Sequence, residues 1–397
     1  MNEQKSIITP VIWIISLVSL FTDFASEMLY PIMPVYLEHI GFSVLLIGVL
    51  EGVAEATAGL SKSYFGRLSD NSGRRLPFVQ LGYLLSAVSK PMMALLTNAW
   101  WIFFARTTDR LGKGIRTGAR DALLSEQATP ETKATVFGFH RSMDTWGAVI
   151  GPSVAWLFLY LLPGQYKALF LFAFIPGLIA VILTRFIKEK KHAPNPSKVS
   201  PSLLESFIYW KKSNTAYRKL LTGLLCFALF NSSDIFLLLK IQASGYTDTQ
   251  VIGLYIFYNI VYAMVAFPVG KFADRVGLKP IFIFGLFLFA ITYFGFAFNN
   301  NHYIYFLLFI AYGIYAACTE GVAKAWISNM VDRKDLATAI GTFAGFQSIA
   351  ALLASSFTGL LWFKFGATIT FVSTAVVTLL VIIYLSVTNF THSQDNT

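Results

Sequence analysis

Runs of about twenty apolar residues, the length at which a helix crosses the hydrocarbon core of a bilayer, recur along the chain with short polar turns between them. Six runs fall at 11–37, 45–64, 78–96, 99–117, 137–162 and 167–187, and six more at 220–239, 251–272, 280–298, 303–327, 336–363 and 367–386. This pattern predicts twelve transmembrane helices. Between the two sets lies a basic stretch at 188–219, rich in Pro and Ser, whose string LLESFIYW predicts a short interfacial helix. The expected organisation is an N-terminal six-helix bundle at 1–187, a linker at 188–219 and a C-terminal six-helix bundle at 220–397.

An internal repeat supports the division. The turn after the second run carries Gly66, Asp70 and Gly73, followed by Arg74 and Arg75, and the turn after the eighth carries Gly270, Asp274 and Gly277, at an offset of 204 residues. Further along, the string ATVFG at 134–138 is matched by ATAIG at 337–341, offset by 203. The predicted fold is therefore an all-α integral membrane protein: twelve transmembrane helices in two pseudo-symmetric six-helix bundles.

Composition agrees. Of 397 residues, 55% are hydrophobic and 13% charged, with a mean hydropathy of +0.60, which leaves too little polar surface for a soluble globule. The net charge of +10 is gathered in the linker and in alternate turns. By the positive-inside rule, this places both termini and the linker on the cytoplasmic side of the inner membrane, and it gives no support to nucleic acid as a partner. Two cysteines build no disulfide framework, and five histidines, His39, His140, His192, His302 and His392, show no ligand spacing, so neither a metal nor a cofactor is expected. The absence of GxxxxGK[ST] argues against ATP drive within the chain.

Ionisable residues inside spans are costly and mark functional positions. They concentrate in the first half: Asp23 and Glu27 in the first span, Glu51 and Glu55 in the second, Arg106, Asp109, Arg110 and Lys113 in the fourth, and Arg141 and Asp144 in the fifth. Each acidic pair is four residues apart and shares a helix face, and the fourth-span cations form a stripe continued by Arg116 and Arg120. At ~1.5 Å rise per residue, Asp23, Glu55 and Arg110 fall near one depth, with Glu27, Glu51 and Arg106 one turn outward. This predicts a charge-compensated network in which carboxylates take up a proton when a basic partner moves away. The second half holds fewer candidates, Asp234, Glu320 and Lys324, with Asp234 expected to line a cavity and Glu320 and Lys324, four apart, expected to pair.

The two six-helix halves and the turn GxLxDxxGRR resemble the major facilitator superfamily, within it either drug/proton antiporters or a less well characterised group of bacterial permeases. The resemblance implies a cytoplasmic latch: Asp70 capping a helix of the other half, Arg74 and Arg75 pairing with an acid at the end of span four, for which Asp121 is the candidate, and Asp274 as the repeat's counterpart. Gly147, Gly151 and Pro152 resemble the family's antiporter motif GxxxGP, although Ser153 and Val154 stand where that motif continues with glycines. A monomer is likewise implied only by the resemblance.

The expected function is secondary active transport of a small molecule by alternating access, coupled to protons and directed outward. The basic stripe also fits uptake or exchange of an anionic organic solute. A membrane-embedded transferase would need a catalytic cluster at one surface or a large soluble loop, and the sequence offers neither. The chain is not expected to be an enzyme.

Overall fold

Helix starts are written into the sequence by side chains that accept the orphan N–H groups of a first turn. Thr9 accepts from Ile12 ahead of Pro10, Ser43 from Leu46 at 3.2 Å, Asn98 from Trp101 at 2.8 Å and Asn214 from Tyr217 at 2.7 Å. Thr247 and Gln250 form a reciprocal capping box. The computed structural model describes residues 7–30, 32–33, 36–37, 40–189, 202, 204–299 and 301–390.

Among the described residues thirteen α-helices are delimited, residues 33 and 36–37 are helical besides, and there is no strand. The first half contributes α1 (Pro10–Glu27), α2 (Val44–Ser72), α3 (Leu76–Leu95), α4 (Ala99–Glu126), α5 (Lys133–Leu161) and α6 (Tyr166–Thr184). Helix α7 (Glu205–Lys212) falls where the sequence places the short linker helix; residues 190–201 and 203 of that linker, with His39, His192 and His392, lie outside the described residues. Then follow α8 (Thr215–Ala228), α9 (Ile235–Ala243), α10 (Asp248–Val276), α11 (Leu278–Phe298), α12 (His302–Asn329) and α13 (Leu336–Val387).

Three boundaries differ from the hydropathy reading. The first run is interrupted: α1 ends at Glu27, a turn follows at 28–30, and residues 33 and 36–37 are helical again. The seventh is split: 229–234 separates α8 from α9, because Asn231, Ser232, Ser233 and Asp234 offer the backbone side-chain alternatives to its own ladder. The last two runs are joined as α13, interrupted at Gly366, whose φ of +80° only glycine adopts cheaply. Among the described residues, six helices, α13 included, are long and apolar enough to cross a bilayer by composition alone. Helices α2, α4 and α5 are equally long but carry several charges each, and those charges are what must be explained.

The described residues group into two compact units. One takes in those within Met1–Thr129, Met143–Tyr209 and Arg333–Gly345; the other takes in those within Pro130–Ser142, Trp210–Asp332 and Phe346–Thr397. The first unit is built on a buried apolar cluster that includes Met28, Tyr36, Leu50, Met93, Ile102, Ala105 and Phe170. The second is more aromatic, with Phe289, Tyr293, Phe296 and Phe309 fully buried and stacked edge or face on one another.

Candidate functional site

The repeated turns form two matching helix caps, one in each unit. In the first unit, Asp70 near the end of α2 accepts hydrogen bonds from the N–H groups of Ala337 at 3.3 Å and Thr338 at 2.7 Å, and from the Thr338 hydroxyl at 2.7 Å. These N–H groups open α13, where a carboxylate meets both unpaired donors and the positive end of the helix dipole. In the second unit, Asp274 does the same for α5, accepting from Ala134 at 2.9 Å and Thr135 at 2.7 Å. The glycine four residues earlier is what permits the approach: a Cβ on Gly66 would lie 2.5 Å from the Ala337 carbonyl oxygen, and one on Gly270 2.3 Å from that of Ala134. Gly73 ends α2 in the left-handed region, φ +62°, which turns the chain sharply into α3.

Arg75 is buried and pairs with Asp70 at 2.6 Å and with Glu126 at 2.8 Å, and it donates to the Arg333 carbonyl at 3.0 Å. Burial disfavours its charge, but Asp70 and Glu126 outweigh that and hold the guanidinium above its ordinary value. The acid at the end of α4 is thus Glu126, which corrects the expectation of Asp121. Asp121 is fully buried five residues earlier and is bound by its neighbour Arg120 at 2.8 Å. Arg74 is exposed.

The stripe on α4 faces acids from three helices. Arg106 holds Glu51 of α2 through two hydrogen bonds, 2.7 and 2.8 Å, the fork geometry that a guanidinium and a carboxylate favour. One turn along, Arg110 reaches Glu55 at 3.2 Å and Glu51 at 4.0 Å. Asp109 turns toward α3, where Lys90 binds it at 2.7 Å and also reaches the Ser26 hydroxyl at 3.2 Å. Arg116 is satisfied by the Ser86 hydroxyl at 2.7 Å and lies over the Tyr83 ring, 4.7 Å from its centroid. Lys113 is exposed; Glu27, Asp23 and Glu55 are within its electrostatic reach.

Glycines bring α1 against α5. A Cβ on Gly147 would lie 2.5 Å from the Leu20 carbonyl oxygen and 3.0 Å from Asp23 Cβ, and one on Gly151 2.8 Å from the Phe24 carbonyl oxygen. The contact sets Asp23 beside Asp144. The Ser19 hydroxyl donates to Asp144 and accepts from Arg120 at 3.3 Å. Pro152 sits inside α5, which continues past it to Leu161.

Arg141, expected among the first-half charges, lies in the second unit and is ion-paired with Glu320 of α12. It also donates to the Tyr262 hydroxyl at 2.6 Å. The sequence reading coupled Glu320 to Lys324 and had no signal for this partner, 179 residues away in the chain. Asp234 accepts from the Tyr312 hydroxyl at 2.6 Å. Sequence reasoning also missed Glu126, Ser19, Tyr262 and Tyr312. Periodicity marks the faces of single helices: Tyr262 does recur with Tyr255 and Tyr258, and Tyr312 with Tyr315, but an aromatic face reads as packing and names no partner.

The profile of the Major Facilitator Superfamily matches residues 15–257 and 235–396. An MFS-type transporter of Methanocaldococcus jannaschii, MJ1317, is 32% identical over 375 residues, covering 91% of this chain and 90% of its own. The quinolone resistance protein NorA of Staphylococcus aureus is 23% identical over 224 residues, 56% of each chain. Among solved structures, the fold is shared with the Escherichia coli fucose:proton symporter, at a TM-score of 0.77 and 13% identity over 96% of this chain and 99% of that one. It is shared also with the human organic anion transporter MFSD10, at 0.76 and 17% over 95% and 100%. A chain whose family profile spans nearly its whole length, on a twelve-helix membrane fold with repeated Gly–Asp caps, belongs to the Major Facilitator Superfamily and is a transporter of small molecules rather than an enzyme.

Proposed function

We propose that this transporter is a proton-coupled exporter in the cytoplasmic membrane, acting as a monomer with both termini in the cytoplasm, and that the Asp23–Asp144 pair carries the proton. The observation behind this is the close approach of α1 to α5 at Gly147, which sets the two carboxyl groups side by side. Two ionised carboxylates at such a contact repel, so a proton held by one of them stabilises the pair. The site also has an outlet for negative charge: Arg120 lies one hydroxyl away through Ser19, and Lys113 lies within electrostatic reach of Asp23. A shift of α1 against α5 at the Gly147–Gly151 contact would separate the two carboxyl groups and bring each to its basic neighbour, releasing the proton.

The remaining charges play a different part. Glu51–Arg106, Glu55–Arg110 and Asp109–Lys90 are matched pairs that hold α2 and α3 on α4. Outward direction rests on the GxxxGP motif, whose glycines form the very contact that holds the carboxyl pair, and on the likeness to the quinolone resistance protein NorA.

The test uses proteoliposomes with an internal pH dye and outward or inward gradients of cationic, neutral and anionic solutes. A solute gradient should drive protons the opposite way, and Asp23→Asn or Asp144→Asn should abolish that movement while solute still exchanges. Protons travelling with an anion would overturn the reading in favour of anion uptake, with Lys113 as its anchor. Full coupling in both variants would remove the carboxyl pair from the mechanism.

A further inference from the structure

The second unit contains a carboxylate for which the compensated network has no counterpart. Asp234 lies at the end of the non-helical stretch between α8 and α9, well inside the seventh span: fourteen residues from its start at 220, about 20 Å at the helical rise, against a hydrocarbon core of ~30 Å. Backbone without a helical ladder survives at that depth only where protein surrounds it or where it lines a cavity. Asp234 keeps accessible surface there. It accepts from the Tyr312 hydroxyl of α12 at 2.6 Å, and the Tyr258 ring of α10 lies against the Tyr312 ring. Among the described residues no ion pair with Lys, Arg or His joins it, and a charge that does act on it is another acid, Glu320.

Aromatic rings cluster beside it. The Tyr258 and Tyr312 rings are 5.1 Å apart at 46°, and Tyr312 and Tyr315 are 5.3 Å apart at 36°, so three buried rings from α10 and α12 form one continuous cluster next to the carboxylate. On the opposite side, Asn231 donates its amide to the Tyr315 hydroxyl at 3.0 Å, while its carbonyl oxygen is buried without a donor. The site therefore offers acceptors, Asp234 and the Asn231 oxygen, together with electron-rich ring faces, and lacks a positive charge. That combination suits an ammonium group: its charge replaces the missing counter-ion, and its alkyl groups rest against rings whose faces attract cations.

We infer that the Asp234–Tyr258–Tyr312–Tyr315 cluster is a binding site for the ammonium head of an organic cation, carried as cargo by the transporter proposed above. This rests on the transport reading only for the word cargo. Binding at equilibrium, with no gradient, needs neither proton coupling nor outward direction, so the two can fail separately.

The experiment is calorimetric titration of the purified full-length protein in nanodiscs with benzyltrimethylammonium, followed by competition with choline and with its neutral isostere 3,3-dimethyl-1-butanol. Saturable binding of the probe is expected. Asp234→Asn should weaken it about tenfold or more, Tyr258→Leu about tenfold, and Tyr312→Phe, which keeps the ring and loses only the hydroxyl, about threefold or less. Choline should displace the probe at concentrations where the neutral alcohol does not. The inference is overturned if the native protein shows no saturable binding, if Asp234→Asn binds as the native protein does, or if the alcohol competes as well as choline. The last comparison is made on native protein, so it decides the matter even if a variant does not fold.

Discussion

The two helix caps allow a stability comparison within one molecule. Asp70 and Asp274 occupy equivalent positions and satisfy equivalent N–H pairs, but only Asp70 is also half of a buried ion pair. Replacing either by Ala removes a cap worth about 0.5–2 kcal/mol. For Asp274, which is partly exposed, little else is lost, and a cost of about 1–2 kcal/mol follows. For Asp70, Arg75 also loses one of its two carboxylates. Stranding a buried charge completely costs about 3–5 kcal/mol, but Glu126 and the Arg333 carbonyl remain, so roughly half of that, about 2 kcal/mol, is added. Asp70→Ala should therefore exceed Asp274→Ala by about 2 kcal/mol, close to a thirtyfold difference in the unfolding equilibrium. Equilibrium unfolding by SDS titration in mixed micelles, followed by tryptophan fluorescence, reads both. Pairing each with Arg75→Met isolates the ion pair, since the excess should vanish in that background. Equal losses, or a larger one for Asp274→Ala, would mean that the buried guanidinium contributes nothing net and would refute the argument.

Gly270→Ala would force a Cβ to 2.3 Å from a backbone carbonyl that cannot rotate away, so folded yield by size exclusion should fall sharply, whereas Gly253→Ala, which meets nothing within 4 Å, should be neutral. Asp109→Asn leaves the Lys90 ammonium buried without its carboxylate and should cost about 3–5 kcal/mol, while Lys90→Met with Asp109→Leu should recover most of it in a thermal melt, because an apolar pair replaces an ionic one. Gly147→Ala pushes α1 from α5 at Asp23 and should uncouple proton movement in the pH-dye assay even though no charge is changed; full coupling would count against the shared-proton site.

Most of the architecture could be read from hydropathy and the repeat, because a bilayer requires each span to be long, apolar and internally hydrogen-bonded. The heights of Glu51, Glu55, Arg106 and Arg110 could be read too, since a fixed rise per residue turns sequence position into depth. What could not be read was azimuth between helices. Nothing along the chain says that Asp109 turns to Lys90 on α3, that Arg141 turns to Glu320 on α12, or that Glu126 rather than Asp121 meets Arg75. The split at 229–234 was hidden for another reason: the polar quartet from Asn231 to Asp234 is too short to lower the hydropathy of a twenty-residue window.

That split also has a counterpart. At the repeat offset of 204, Glu27, where α1 ends, aligns with Asn231, and Tyr30 aligns with Asp234. Each half thus interrupts its first helix at one depth and places polar groups there, but the halves differ in what surrounds them. Arg106, Arg110 and Lys113 of α4 and Lys90 of α3 keep the first-half acids company; the second half surrounds Asp234 with tyrosine. An acid with cations in reach has its counter-ion within the protein, whereas an uncompensated acid among rings waits for a cation from outside. If so, a tethered cation should fill the site. Asn231→Lys puts an ammonium on a flexible stem three residues from Asp234, within reach of the Tyr312 and Tyr315 faces. It should raise thermal stability and abolish benzyltrimethylammonium binding in the same protein. An Asn231→Lys variant that still binds the probe with native affinity would show that the carboxylate and the rings do not form a single cation site.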